Sequence, residues 1–177
     1  NYRLSDEAIF PAQIHDVKAA IRWVRANADT LGIDPDRIGV WGHSAGGHLT
    51  ALAGTTGDLP ELEGNSGTPG VSSRVHAAMP LSPATDFRII PQGWPYVEPR
   101  RAMEKLVGGS LQERAELVEL ANPIAYVDSD PPPFQIVHGA ADGVVPVEQA
   151  IALSEALTAA RRDVSLEVLP GADHWFA

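Results

Sequence analysis

An α/β architecture is expected for this chain: a three-layer α/β/α sandwich around a mostly parallel sheet. Short apolar runs alternate with stretches of helical periodicity from one end to the other. The runs are nearly continuous in hydrophobic character, as strands covered on both faces are. At 177 residues, 44% hydrophobic and 20% charged, the chain suits one domain with a sizeable core.

The stretch FPAQIHDVKAAIRWVRANADTLGI reads as a helix, because Val17, Ala20, Ile21, Val24 and Ala28 fall three or four apart along one face. Pro11 suits its first turn, where a missing N–H costs nothing, and Gly32 lies just past its end. DPDRIGVWG follows as a turn and a strand over Ile38 to Trp41, and AGGHLTALAG as a small-residue helix from Ala45 to Gly54. Gly, Pro, Ser and Thr dominate 55–73, which reads as a surface loop. RVHAAMPLS is a second strand. An irregular excursion with short helices comes next, and its prolines from Pro83 to Pro99 stop any long element. FQIVHGA is a third strand and VPVEQAIALSEALTAARR an amphipathic helix through Val147, Ile151, Ser154 and Leu157. VSLEVLPGADH supplies a fourth strand, with Val164, Leu166 and Val168 alternating. No repeat or low-complexity segment interrupts the series.

Composition narrows the partners. A formal net charge of −10 disfavours nucleic acid or an anionic membrane, since both would repel it. The acids are scattered, as on a solvated surface. With no cysteine, disulfides, thiol catalysis and cysteine-ligated metals are excluded. No apolar run approaches the ~20 residues of a membrane span, and NYRLSDEAIFPAQ carries acids and a proline where a signal peptide has its apolar core. Compartment and oligomeric state are left open. No His-X-X-X-His pair or close His/Asp cluster suggests a metal, and no cofactor is implied.

In parallel sheets, ligands sit beyond the carboxyl ends of the strands, so the strand exits are where chemistry is expected. Ser44 follows the first strand inside GHSAG, SPATDF follows the second, Asp142 the third and His174 the fourth. A serine hydroxyl needs a base to take its proton as it attacks. Histidine titrates near working pH, and a buried carboxylate fixes its tautomer and steadies the imidazolium. Gly42 and Gly46 are expected to relieve crowding at a sharp strand–turn–helix bend. The Ala45 helix start would aim N–H groups and a positive dipole end at a developing oxyanion.

Each residue also has a plainer reading. Asp142 in HGAADGVVP is a natural turn residue, and His174 beside Trp175 and Phe176 could simply pack. Asp86 in SPATDF is the rival acid, with turn capping its other role, while Asp173 adjoins His174 and so is poorly placed to orient it. His48, one helical turn from Ser44, reads as packing or capping. His138, beneath the acid turn, reads as a core hydrogen-bonding residue. His43 could line an acyl pocket. His15 and His76 carry no signal. It is the order Ser, Asp, His at three strand exits that favours a hydrolytic triad.

GHSAGGHLTAL, PPPFQIVHGAADGVVPVEQA and LPGADHWF resemble the α/β-hydrolase esterases of the BD-FAE-like and hormone-sensitive-lipase-like groups. YRLSDEAIFPAQIHDVKAAIRWVRANADTLGIDPDRIGVWG is similar to their approach to the elbow, and ANPIAYV to their approach to the acid strand. The resemblance runs over nearly the whole chain. It implies the α/β-hydrolase fold, Ser44 as nucleophile, Asp142 as acid, His174 as base and the Ala45 N–H as one oxyanion donor. It also implies hydrolysis of short-chain carboxylic esters, including acetyl or feruloyl groups on polysaccharide. The segment 87–126 would be a lid or pocket wall, with His43, Trp94 and Tyr96 as substrate contacts.

Members of these groups carry upstream strands and a His-Gly-Gly-type oxyanion loop, which nothing here matches. The chain is therefore expected to be an N-terminally incomplete domain with an open apolar edge at the elbow strand, weakly stable and poorly active alone. An aryl formamidase and a prolyl-oligopeptidase-like peptidase share the motifs, and a non-catalytic binding protein of the same fold is the alternative of another class.

Overall fold

The computed structural model describes residues 1–57, 59–89 and 97–177, with the backbone alone at 97–99. Four strands, β1 (Gly39–His43), β2 (Ala77–Leu81), β3 (Phe134–Gly139) and β4 (Val164–Leu169), form a parallel sheet in the order β1-β2-β3-β4. Parallel neighbours need a crossover to bring the chain back to the starting edge. Helix α3 (Ala45–Thr55) leads from β1 towards β2, with the short α4 (Pro60–Glu63) on the way. Between β2 and β3 run α5 (Val97–Val107), α6 (Ala115–Leu120) and a 3-10 turn over Pro123–Tyr126. Helix α7 (Glu148–Ala159) joins β3 to β4. The expected parallel sheet and α/β alternation are present.

The first helical stretch is two helices, α1 (Ala12–Ala26) and α2 (Ala28–Leu31), broken at Asn27 and closed by Gly32 in a left-handed conformation at φ 66°. The buried face differs from the apolar stripe in the sequence. Ala20 is exposed, while Lys18 and Arg22 are buried beside Ile14 and Ile21. Burial of two cations is possible because Glu63 meets both: its Oε1 lies 2.6 Å from Lys18 Nζ and its Oε2 2.7 Å from Arg22 Nη1. Ser73 Oγ donates to the same carboxylate at 2.7 Å. The 55–73 segment is accordingly more than a surface loop. It contains α4, places Leu62 wholly inside the core, and buries Thr55, Thr56 and Ser73. The ion pairs hold it down, so a polar composition does not mean exposure here.

The core lies on one side of the sheet. Val40, Ala78, Ile136 and Leu166 pack against Ala51 of α3 and Leu153 and Leu157 of α7. Ile14 and Ile21 of α1 join Leu49 and Leu52 of α3 in the adjoining cluster, which Val40 shares. On the opposite side Trp41, Ala77, Gln135, Ser165 and Glu167 are exposed. The described residues thus supply two of the three expected layers. β1 is an edge of the sheet, and Trp41 on it is 73% exposed. No helix among the described residues is long and apolar enough to cross a membrane.

Candidate active site

β1 runs two residues further than its apolar run, to His43, so Ser44 stands directly between strand and α3. Ser44 has φ 57° and ψ −118°, a backbone state that L side chains seldom adopt and that costs on the order of 1–3 kcal/mol. Its N–H is tied to the Leu81 carbonyl at 2.9 Å, and its carbonyl accepts the His48 N–H at 2.9 Å. The bend is therefore clamped by β2 on one side and by the first turn of α3 on the other.

Close packing explains which glycines the bend needs. A Cβ on Gly42 would lie 2.6 Å from the Gly46 carbonyl oxygen, and one on Gly47 would lie 2.5 Å from that of Leu81. A Cβ on Gly46 would meet nothing within 4 Å. The steric requirement expected at Gly46 is thus corrected to Gly47: Gly46 points away from the sheet, whereas its successor faces the end of β2.

Ser44 Oγ lies 3.0 Å from His174 Nε2, and His174 Nδ1 lies 2.7 Å from Asp142 Oδ2. Asp142 stands in the turn after β3, where its Oδ1 accepts the Val144 and Val145 N–H groups, each at 2.8 Å. His174 is carried by the loop after β4. That loop is drawn to β3 by an Ala141 N–H bond to the Ala172 carbonyl at 2.9 Å. Gly139 permits the approach, since a Cβ there would lie 2.4 Å from the Ala172 carbonyl oxygen. Sequence reading missed Gly139, whose only signal is a glycine at a strand end; Gly47 is visible as a glycine flanking the serine, but sequence reading assigns the clash relief to its neighbour.

Asp142 and His174 are 5% and 3% exposed. Burial pushes the Asp142 carboxyl up, but hydrogen bonds from His138, His174, Val145 and Val144 together outweigh it and hold the carboxyl well below the usual range. Asp142 is therefore an ionised acceptor. His174 is then read as donating from Nδ1 and accepting from Ser44 at Nε2, an assignment made from its partners.

The other candidates have different partners. Asp86 accepts from the Arg88 N–H and guanidinium and from Asn122, as a turn-capping carboxylate. Asp173 accepts the Trp175 and Ala177 N–H groups and closes the terminal turn. His48 Nε2 donates to the Ala121 carbonyl at 2.7 Å, and burial pushes its imidazole down to about 4 despite that bond. His138 is wholly buried and faces Asp142 from β3. His43 does not line the cavity beside Ser44. Its Nε2–H donates to the His174 carbonyl at 2.7 Å, and its ring packs on those of His174, Trp175 and Phe176. Its place in β1 turns it towards the His174 loop, which removes it from the expected substrate contacts. Trp94 and Tyr96 lie outside the described residues.

A cavity of about 360 Å³ opens at Ser44. Among the described residues Phe87, Met103, Leu106 and Val145 supply its apolar wall, with Ala45 at the α3 start. Part of the 87–126 segment thus borders the serine.

A parallel sheet whose first strand breaks at a strained serine into a helix is the organisation of an α/β-hydrolase. Within that class the chain belongs to the BD-FAE family, whose model matches residues 1–157. It is 38% identical over 180 residues to esterase LipC of Mycobacterium tuberculosis, an alignment covering 99% of this chain and 44% of LipC. A structure described as a truncated form of carbohydrate esterase from gut microbiota matches with TM-score 0.89 at 36% identity, over 98% of this chain and 65% of that one. An acetyl ester-xyloside bifunctional hydrolase from Caldicellulosiruptor lactoaceticus matches with TM-score 0.82 at 31% identity, over 98% and 60%. The chain spans less than half the length of LipC.

Proposed function

We propose that this chain carries the active site of a serine carboxylester hydrolase. The observation that supports this most directly is the unbroken hydrogen-bonded path from Asp142 through His174 to the hydroxyl of Ser44. In this reading Ser44 Oγ attacks the ester carbonyl while His174 Nε2 takes its proton. The imidazolium formed is stabilised by Asp142, and the oxyanion by the Ala45 N–H at the positive end of α3. His174 then protonates the leaving alcohol. Water, deprotonated by the same imidazole, cleaves the acyl-enzyme and restores Ser44.

The acyl group occupies the apolar cavity, and Phe87, Met103 and Leu106 serve as a pocket wall. A cavity of this size accepts an acetyl group readily and leaves room for a longer or aromatic acyl group. The esterase, carbohydrate esterase and acetyl ester names of similar proteins favour short acyl esters of carbohydrate among these substrates.

The test compares p-nitrophenyl acetate, an acetylated xylo-oligosaccharide, N-formylkynurenine and a proline-containing peptide anilide, together with fluorophosphonate labelling. Turnover of the two esters and labelling lost in Ser44→Ala are expected. Selective turnover of the formamide or the anilide would replace the ester reading. A folded protein whose Ser44 the fluorophosphonate does not label would remove the catalytic one.

A further inference from the structure

On the serine-hydrolase reading, we propose that His138 is a positioning residue for the triad acid: a neutral imidazole that donates to Asp142 and competes with His174 for the same carboxylate oxygen. His138 lies on β3, four residues before Asp142, and both side chains are fully buried. Its Nε2 is 3.0 Å from the Val145 carbonyl oxygen and 3.2 Å from Asp142 Oδ2. A carbonyl oxygen only accepts, so Nε2 carries the hydrogen; it bonds to Val145 and has Asp142 Oδ2 within reach at 3.2 Å. Nδ1 is buried with no partner among the described residues. A second proton there would create an N–H with nothing among the described residues to accept it.

The consequence falls on Asp142. Its Oδ1 is occupied by the Val144 and Val145 N–H groups, and its Oδ2 by His174 at 2.7 Å and His138 at 3.2 Å. With donors on both oxygens the carboxylate cannot rotate without breaking bonds. It also divides its negative charge between two imidazoles. Among the described residues, the titratable group in contact with this pair is His174, from the loop after β4, and beyond it lies His43, whose ring is 4.6 Å from that of His174. Removing the His138 donor leaves Oδ2 to His174 alone. The carboxylate becomes a stronger acceptor, the His174 imidazolium is favoured, and the acid limb of kcat/KM moves to higher pH. Loss of orientation lowers kcat in addition. A residue that merely filled space or satisfied the Val145 carbonyl would not move the acid limb.

The experiment measures the pH dependence of kcat/KM for an activated ester in the wild type, His138→Phe and His138→Gln. Ser44→Ala serves as the reference. Phe keeps the ring volume without a donor, and Gln restores an N–H near the Nε2 position. For Phe, an acid limb raised by roughly half a pH unit and a kcat lowered on the order of 10-fold or more are expected, with KM little changed. Gln should recover both. Equal losses in the two variants, or an unshifted limb in a folded His138→Phe, would overturn the proposal.

Nitrogen-15 NMR of the wild type needs no variant. His138 should stay a neutral Nε2–H tautomer while His174 titrates, and a protonated Nδ1 in that range would refute the assignment. If Ser44→Ala keeps full turnover, the hydrolase reading fails on its own. The NMR result would then still decide whether His138 carries the Nε2–H that donation to Asp142 requires.

Discussion

Gly42→Ala is the most informative single perturbation of the bend, because its effect can be worked from the packing. The added Cβ would sit 2.6 Å from the Gly46 carbonyl oxygen, 2.7 Å from the Gly46 carbonyl carbon and 2.9 Å from Thr50 Oγ1. All three atoms belong to α3, and two are backbone, so no side-chain rotation relieves the clash. Ordinary contact requires the first turn of α3 to retreat from β1 by roughly 1 Å in an otherwise close-packed interior. Overpacking of this kind costs about 1–3 kcal/mol, which lowers the melting temperature by about 2–4 °C per kcal/mol in a domain of this size. The retreating turn carries Ser44, and a misplacement of about 1 Å costs on the order of 10²-fold in rate. Gly46→Ala is the control, since nothing lies within 4 Å of its Cβ and alanine favours a helix over glycine by about 0.5–1 kcal/mol. Thermal melts and ester turnover of both variants should separate them, with Gly42→Ala impaired in both and Gly46→Ala melting at or above the wild type. Unchanged melting and turnover in Gly42→Ala, or equal damage from Gly46→Ala, would refute the reasoning.

Glu63→Ala should destabilise by about 3–5 kcal/mol in urea, because it leaves Lys18 and Arg22 buried without their shared carboxylate. The Lys18→Met, Arg22→Met, Glu63→Leu triple variant, which removes all three charges, should recover much of that loss, and a mild effect of Glu63→Ala would show the ion pairs to be ornamental. His48 makes stability depend on acid. Its imidazole binds a proton at about 4 when folded and near 6.5 when unfolded. Between these values the unfolded chain takes up a proton that the native one refuses, so stability falls as pH drops from about 6.5 to 4 and this contribution levels off below. The total is on the order of 3 kcal/mol. Denaturation curves at pH 7, 5.5 and 4 should show a shallower loss in His48→Gln than in the wild type, and identical slopes would exclude the histidine. Ser44→Ala and His174→Ala should be comparably damaging to turnover and their double variant scarcely worse, as residues acting as one unit are; additive losses would mean that they act separately.

The order of strands and helices and the positions of Ser44, Asp142 and His174 at strand exits were legible along the chain. Each depends on a local pattern: apolar runs, caps, and a serine set among glycines between strand and helix. Parallel pairing then places strand exits along one rim, which is why residues 130 positions apart, Ser44 and His174, meet. The same local reading failed where the partner comes from elsewhere. Lys18 and Arg22 lie outside the apolar stripe, yet they are buried, because Glu63, more than forty residues on, pairs with both. Gly46 looks as necessary as Gly47 until the end of β2 is seen to press on only one of them. His43 adjoins the serine in sequence, yet strand geometry sends its ring to the His174 loop.

His138 shows the division most sharply. Its position beneath the acid turn suggested a core hydrogen bond, but not which acceptor would receive it. Periodicity and turn chemistry are properties of neighbours along the backbone, and they set where the reactive side chains leave the sheet. Which carboxylate oxygen a buried N–H reaches, and which glycine cannot become alanine, depends on atoms that only folding brings within 3 Å or so of each other.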